Sequence, residues 1–323
     1  MTLHIFQQQV STAATELVAQ SVQEFNAASG GALVLGGGDH IGDYVEQTSW
    51  QLLGGLAQRR NAYGGGTLVP QELGQLLDRM IKVDGRIGPI SVTPTMMKRL
   101  GKDVAEAAAV VAAQSAEAMM QDYLNTTGAA LKAAISANNE AVTDLSTAAG
   151  VSPSLRGLNK GARPFGDAHS RLVTWLMDGA TYNDFIDETL TNANRLFQIG
   201  NISIMQDGMG RRFVVSDIPA LSDGDKQNVL GLTVGAAAVA TSPLIMKAQD
   251  VLGQENVKAL MQGEYDFTLG VRGYQWAKDS IKSPTNAQIS DSANWGKIAT
   301  SIKDTAGVLV TFGKSITKSA PAK

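Results

Sequence analysis

Apolar residues recur at helical spacing over residues 11–28 (STAATELVAQSVQEFNAA), where Leu17, Val18, Val22 and Phe25 form one stripe. Ser11 or Thr12 can cap the start and Gly30 can end it. The spacing predicts a short amphipathic helix, read as an ordinary surface helix or as an arm that docks on a neighbour. Residues 103–124 predict a second helix, with Asp103 and Glu106 in the first turn, where the helix dipole favours acid. Its 22 residues would make a rod of roughly 33 Å. Small residues dominate the stripe through Ala108, Ser115 and Ala118, so other backbones can approach closely. Asn125 to Gly128 predicts a break before helix resumes over 129–137, and a third helix is predicted over 182–196.

Strand-like patterns fill much of the remainder. Residues 32–35, 44–50 and 80–83 surround the glycine triplets 36–38 and 64–66. That layout predicts a long excursion, out and back, with too little apolar surface for a core of its own. Residues 140–168 read as loop, and 172–177 as a buried strand. Ile202 and Ile204 alternate before Asp207-Gly208, and Phe213 and Val215 alternate after it, a hairpin signature. Residues 229–247 predict one or two apolar strands, and 251–261 a short helix or an irregular connection. Residues 265–276 (YDFTLGVRGYQW) alternate as a strand, 278–297 read as a polar loop, and 307–312 as a closing strand before a basic tail.

Composition narrows the function. Only 18% of the 323 residues are charged, against about a quarter in an ordinary soluble domain, while glycine is abundant at 34. Such a chain covers part of its surface with something other than water. The formal net charge of -3 argues against a protein held mainly by nucleic-acid phosphates. The absence of cysteine excludes disulfides, thiol nucleophiles and thiolate metal sites. The start has neither a basic region nor an apolar one, so no secretory signal is expected. The longest uncharged run, 227–246, is diluted by glycine, alanine and Pro243, and reads as a buried segment rather than a membrane span.

No reaction centre emerges. Gly313-Lys314-Ser315 follows a strand, but position 308 is Val where a phosphate loop needs Gly. The glycine triplets do not make the dinucleotide fingerprint. His169 has only the sequence neighbours Asp167 and Ser170, and His40 only Asp39 and Asp43. Asp184 and Glu188, four apart on a predicted helix, read as a solvated face. No catalytic, cofactor or metal residue is assigned, and no enzyme is expected.

The order of elements carries the remaining signal. Three segments, 170–185 (SRLVTWLMDGATYNDF), 210–221 (GRRFVVSDIPAL) and 266–277 followed by 306–313 (AGVLVTFG), resemble the major capsid protein of tailed bacteriophages, with its Hong Kong 97-type fold. The resemblance implies an α+β fold divided into an N-terminal arm (1–35), an extended loop (36–88), a peripheral domain with its spine helix (89–139), an axial domain (140–262), and peripheral strands with the tail (263–323). It implies hexamers and pentamers of an icosahedral shell around double-stranded DNA, in a virion whose subunits are made in the host cytoplasm. Arm and loop would supply ties between capsomers through Leu17, Val18, Val22, Phe25, Trp50, Arg59 and Arg60. The implied partners are other copies, a separate scaffolding protein and a portal, with a decoration protein left open. DNA would face the inner wall without sequence-specific binding; no membrane partner and no cofactor are implied. Some members cross-link through a loop lysine, but the first lysine here is Lys82, so a non-covalent shell is expected. The short arm implies no scaffolding extension and no maturation cleavage. Rival readings are an encapsulin-like nanocompartment shell, a small-molecule enzyme with a Gly-rich α/β core, and a tail-tube protein, which the long helix disfavours.

Overall fold

In the computed structural model the first amphipathic pattern becomes α1 (Leu3–Ala28), a helix of 26 residues that starts well before the predicted cap. The structure describes residues 3–38, 41–50, 56–57, 59–70, 72–93, 104–146, 153–189, 194–199, 202–206, 211–253, 255–256 and 258–314. After α1 come β1 (Leu33–Gly37), β2 (Tyr44–Trp50), β3 (Gln75–Val92), α2 (Val104–Ser136), β4 (Val142–Asp144), α3 (Leu155–Gly161), β5 (Leu172–Met177) and α4 (Gly179–Thr189). Then follow β6 (Asn194–Ile199), β7 (Ile202–Gln206), β8 (Arg212–Val215), β9 (Ser222–Asp223), β10 (Lys226–Thr233), β11 (Ala237–Thr241) and β12 (Ile245–Val251). The chain closes with β13 (Lys258–Val271), β14 (Tyr274–Trp276), α5 (Asn286–Ile289), β15 (Trp295–Lys297) and β16 (Gly307–Gly313).

Two eight-stranded sheets result. The first runs β1-β11-β13-β14-β15, with β12 and β3 also on β13, and β2 on β3. The second runs β4-β16-β10-β5-β8-β7-β6, with β9 on β10. The chain is thus α+β, as expected. The expected boundaries fare differently. The limit at 262 falls inside β13, the limit at 88 inside β3, and the limit at 35 inside β1. Residues 237–251 belong to the first sheet, and the closing strand β16 to the second, antiparallel to β10.

Three local readings are corrected. The spine helix α2 runs unbroken for 33 residues through Asn125–Gly128. Thr127 satisfies its hydroxyl by donating to the Tyr123 carbonyl at 2.6 Å, so it does not compete with the helix. Gly128 is there for contact: a Cβ would press into the Ile218 side chain. Residues 194–196 belong to strand β6 rather than to the end of a helix, which stops at Thr189. Residues 258–261 are strand, because β13 alternates buried Ala259, Met261, Gly263 and Tyr265 with outward Leu260, Gln262 and Glu264. Pairing with β12 on one side and β3 on the other overrides the helix-friendly composition.

The middle of the second sheet, β10 and β16, is buried on both faces, which explains the near-continuous apolar runs of these strands. Leu176, Leu230 and Leu309 join the core that holds α1 and α2. Trp175, Phe213, Val229, Val310 and Phe312 face the opposite layer, with Leu158, Phe165, Tyr182 and Phe185. The helix α3 lies directly on β16, since a Cβ at Gly157 or Gly161 would overlap Phe312 or Val310.

One glycine marks the tightest crossing. Gly307 has φ +153°, and a Cβ there would overlap the carbonyl oxygen of Gly231 on β10. Gly307→Ala should lower stability by about 3 kcal/mol, through strain and overpacking together. Urea unfolding checks this; an unchanged midpoint would contradict the crossing geometry.

Candidate functional site

The excursion is a two-stranded ribbon whose base is clamped and whose outer part is bare. Its register runs from Tyr44 opposite Ile81 to Trp50 opposite Gln75. At the base Arg79 pairs with the facing Glu46 at 2.8 Å and with Asp279, and its guanidinium lies over the Tyr44 ring at 5.4 Å. The Tyr44 hydroxyl donates towards the carbonyls of Asp279 (3.0 Å) and Ile281 (2.9 Å). Lys282 pairs with Asp43, Lys82 with Asp266, and Ser283 donates to Asp84. The ribbon is therefore tied to residues 278–283, a connection that the sequence reads only as polar loop.

Beyond the clamp, every described residue from 56 to 73 is exposed. Leu56, Tyr63, Leu68, Val69 and Leu73 are among them, and Tyr63 is 100% exposed. Apolar side chains in such a stretch have nothing of their own to bury against. The two arginines expected at contacts, Arg59 and Arg60, are exposed in the same stretch. Trp50 closes β2; its side chain lies outside the described residues.

The other expected contacts split. Val18, Val22 and Phe25 are buried in the chain's own core, against α2 and the first sheet, and are not available to a neighbour. Their stripe includes Val10 and Ala14, both fully buried, so α1 is a core element rather than a free arm. Of the four helix residues only Leu17 reaches the surface, at 38% exposure. The cause is α2, whose Ala108, Ala112 and Ala116 are small enough to let α1 lie close.

A second surface is the open face of the first sheet at β12, β13 and β3. Ile245 and Leu260 are exposed there, with Lys247, Gln262, Glu264 and Arg86 around them. Two adjoining troughs of about 730 and 450 Å³ follow this face. Neither gathers catalytic groups. Among the described residues no three metal-ligating side chains come together, and no helix is long and apolar enough to cross a membrane. His169 is exposed, with Nδ1 3.1 Å from the Gly166 carbonyl, and Asp167 pairs with Lys303. Asp184 accepts from Gln227 at 3.0 Å. Lys314 donates to the Gly224 carbonyl at 2.8 Å, and Ser315 lies outside the described residues. Asp39, His40 and the Asp207-Gly208 turn lie outside the described residues.

The main electrostatic anomaly sits on the ribbon. Burial lifts the Asp78 carboxyl to about 6, and its Oδ1 has no hydrogen-bond partner. The folded pKa stands above the unfolded value, near 4, so the folded chain holds the extra proton between those values. Stability from this group is greatest below about pH 4 and falls as pH rises towards 6. Asp78→Asn should raise stability at pH 7 by about 1 kcal/mol, after allowing for partial solvation, and flatten that window. Thermal melts from pH 4 to 7 test both.

The sequence model of the Gp13-like family, described as major capsid protein 13-like, matches residues 2–309. No curated protein matches the sequence. A solved structure from Mycobacterium phage Adephagia aligns with TM-score 0.54 at 12% identity, covering 92% of this chain and 91% of that one. One from Mycobacterium phage Bobi gives 0.53 at 13% identity, covering 93% and 90%. One from Microbacterium phage Oxtober96 gives 0.51 at 10%, covering 90% and 91%. At these identities the likeness speaks for the fold, and the family match speaks for the role. Bare loops and open sheet faces, rather than a reaction centre, are what a shell subunit needs. The chain belongs to the Gp13-like family of major capsid proteins, and is a structural subunit of a phage capsid rather than an enzyme.

Proposed function

We propose that the chain assembles into hexamers and pentamers of an icosahedral shell enclosing double-stranded DNA, after synthesis in the host cytoplasm. The excursion is the extended loop, the first sheet with α2 is the peripheral part, and the second sheet is the axial part around the capsomer centre. A separate scaffolding protein and a portal would complete the assembly. The observation that carries this reading is the bare stretch from 56 to 73, with its exposed leucines, valine and tyrosine. Burying one such side chain contributes about 1.5–3 kcal/mol, so one ribbon laid on a neighbour outweighs typical surface ion pairs. The open face at Ile245 and Leu260 offers a mixed apolar and charged bed for it. Leu17, Trp50, Arg59 and Arg60 remain the proposed contacts between capsomers.

The test is expression with the scaffolding protein, followed by gel filtration and negative-stain microscopy. Closed shells eluting as megadalton particles are expected; a stable monomer under those conditions would refute the reading. The same particles should be non-covalent, because the outer loop has no lysine and Lys82 is engaged by Asp266 at the base. After boiling in SDS they should run as a single monomer band, and a ladder would show cross-links.

A further inference from the structure

Among the described strands the chain crosses between the sheets three times, from β3 to β4 through α2 and 137–141, from β10 to β11 through 234–236, and from β15 to β16 through 298–306, and the ends of these crossings meet in one place. Thr233 donates from its backbone N–H to the Ala306 carbonyl at 2.9 Å, tying the second connection to the third. Tyr274 is buried between Asn138 and Thr305, one from each of the other two. Connections gathered at one point leave the far edge of the second sheet, β6 to β8, to be held by the helices: α2 rests on Ile218 and donates from Lys132 to the Ala220 carbonyl just beyond β8, and α1 reaches the same edge.

The end of α1 makes that second contact. Ile202, Ile204 and Val214, on β7 and β8, are buried in the same core as Val22 and Phe25. Two neighbouring strand positions then grip the helix terminus. Thr174, on β5, donates to the Ser29 carbonyl at 2.6 Å. Arg212, its register partner on β8, donates from Nη1 to the carbonyls of Ala27 (3.2 Å) and Ala28 (3.1 Å). The helix has no basic residue in its own last turn, so Arg212 supplies the cation that the dipole favours. Gly30, at φ +71°, leaves the space Arg212 occupies; a Cβ would stand 2.6 Å from Nη1. The other end of α1 is held on the first sheet, where Ser11 donates to the Leu244 carbonyl at 2.8 Å and Gln7 to that of Met246. At roughly 39 Å the helix braces both sheets.

We infer that Arg212 is a positioning residue: it latches α1 to the second sheet and so sets the angle between the two sheets, and with it the curvature of the shell. This rests on the capsid assembly proposed above. In a ring of identical subunits the interface is heterologous, and the rotation per copy decides whether it closes. An axial part free to tilt closes rings with a spread of angles.

Two measurements on the full-length protein test this. In hydrogen–deuterium exchange of the unassembled subunit, Arg212→Ala should speed exchange in residues 25–31 by about tenfold, with Arg212→Lys in between. In particles assembled with scaffold, Arg212→Ala should broaden the diameter distribution or shift it, and Arg212→Lys should narrow it again. Gly30→Ala, which displaces the guanidinium, should reproduce the Ala phenotype and serves as the second variant should Arg212→Ala fail to fold. Unchanged exchange overturns the latch. Faster exchange with unchanged diameters overturns its control of curvature. Wild-type protein that forms no shell refutes the capsid assembly instead, while the exchange comparison still decides the latch.

Discussion

Removing residues 1–30 should leave a chain that does not fold, not a folded subunit with a missing tie. Val10, Ala14, Val18, Val22 and Phe25 are all buried in the main core. Losing the burial of Val10, Val18, Val22 and Phe25 alone costs on the order of 6–12 kcal/mol, comparable with the whole stability of an ordinary domain. The deletion would also uncover Leu33 and Leu35 on β1 and the small-residue face of α2. Soluble expression and circular dichroism check the outcome: an insoluble or molten product is expected. A well-folded truncated monomer would show that α1 is the detachable arm its sequence pattern allows. A single substitution gives a graded version. Phe25→Ala should cost about 3–5 kcal/mol, read as a lower urea midpoint.

Excising residues 56–70 and rejoining the ribbon with a short turn should do the opposite. The subunit should keep its melting temperature within a few degrees and lose assembly altogether. No described residue of that stretch belongs to either core, and the clamp of Tyr44, Arg79 and Asp279 lies outside the excised residues. Stability is therefore expected to change by less than about 1 kcal/mol. In the proposed shell the loop contact recurs in every copy, so its loss is multiplied around the shell. The pair of results to look for is an unchanged thermal transition together with the absence of particles by microscopy. Normal shells from the excised chain would remove the loop from the assembly mechanism. A large loss of stability would instead mean that the loop packs on its own subunit.

Much of the secondary structure was readable locally. The hairpin strands at 202–206 and 212–215 lie where the alternation puts them, but β8 is buried on both faces: Val214 faces Ile204 in register, while Phe213 and Val215 pack in the opposite layer. The strand at 172–177 and the closing strand appear within a residue of their predicted limits. The errors share a cause. Residues 258–261, Lys-Ala-Leu-Met, favour helix by composition, yet two flanking strands hold them extended. Asn125 to Gly128 reads as a break, yet packing on Ile218 holds the helix through it. The clamp of Tyr44, Arg79 and Asp279 joins residues 200 or more positions apart, and no local pattern announces such a pair.

The proposed assembly surfaces are legible to the same degree. A glycine-rich excursion without enough apolar residues for a core announces itself in sequence, and Arg59 and Arg60 lie where it is bare. The amphipathic stripe of α1 was equally plain, but a stripe says only that one face must be covered. Whether a neighbour or the same chain covers it depends on what stands opposite.

By itself, then, the sequence determined the period of each segment, the low charge of a subunit whose surroundings are largely other subunits, and the absence of thiols and of loop lysines. These are properties of residues and near neighbours. Only the tertiary structure decided that α1 belongs to the core, that β16 closes the second sheet and not the first, and that Arg212 caps a helix 184 residues away. Each of those depends on which distant segments meet. Burial and pairing reward any apolar partner of the right shape, so the choice among partners is made by the packing of the whole chain.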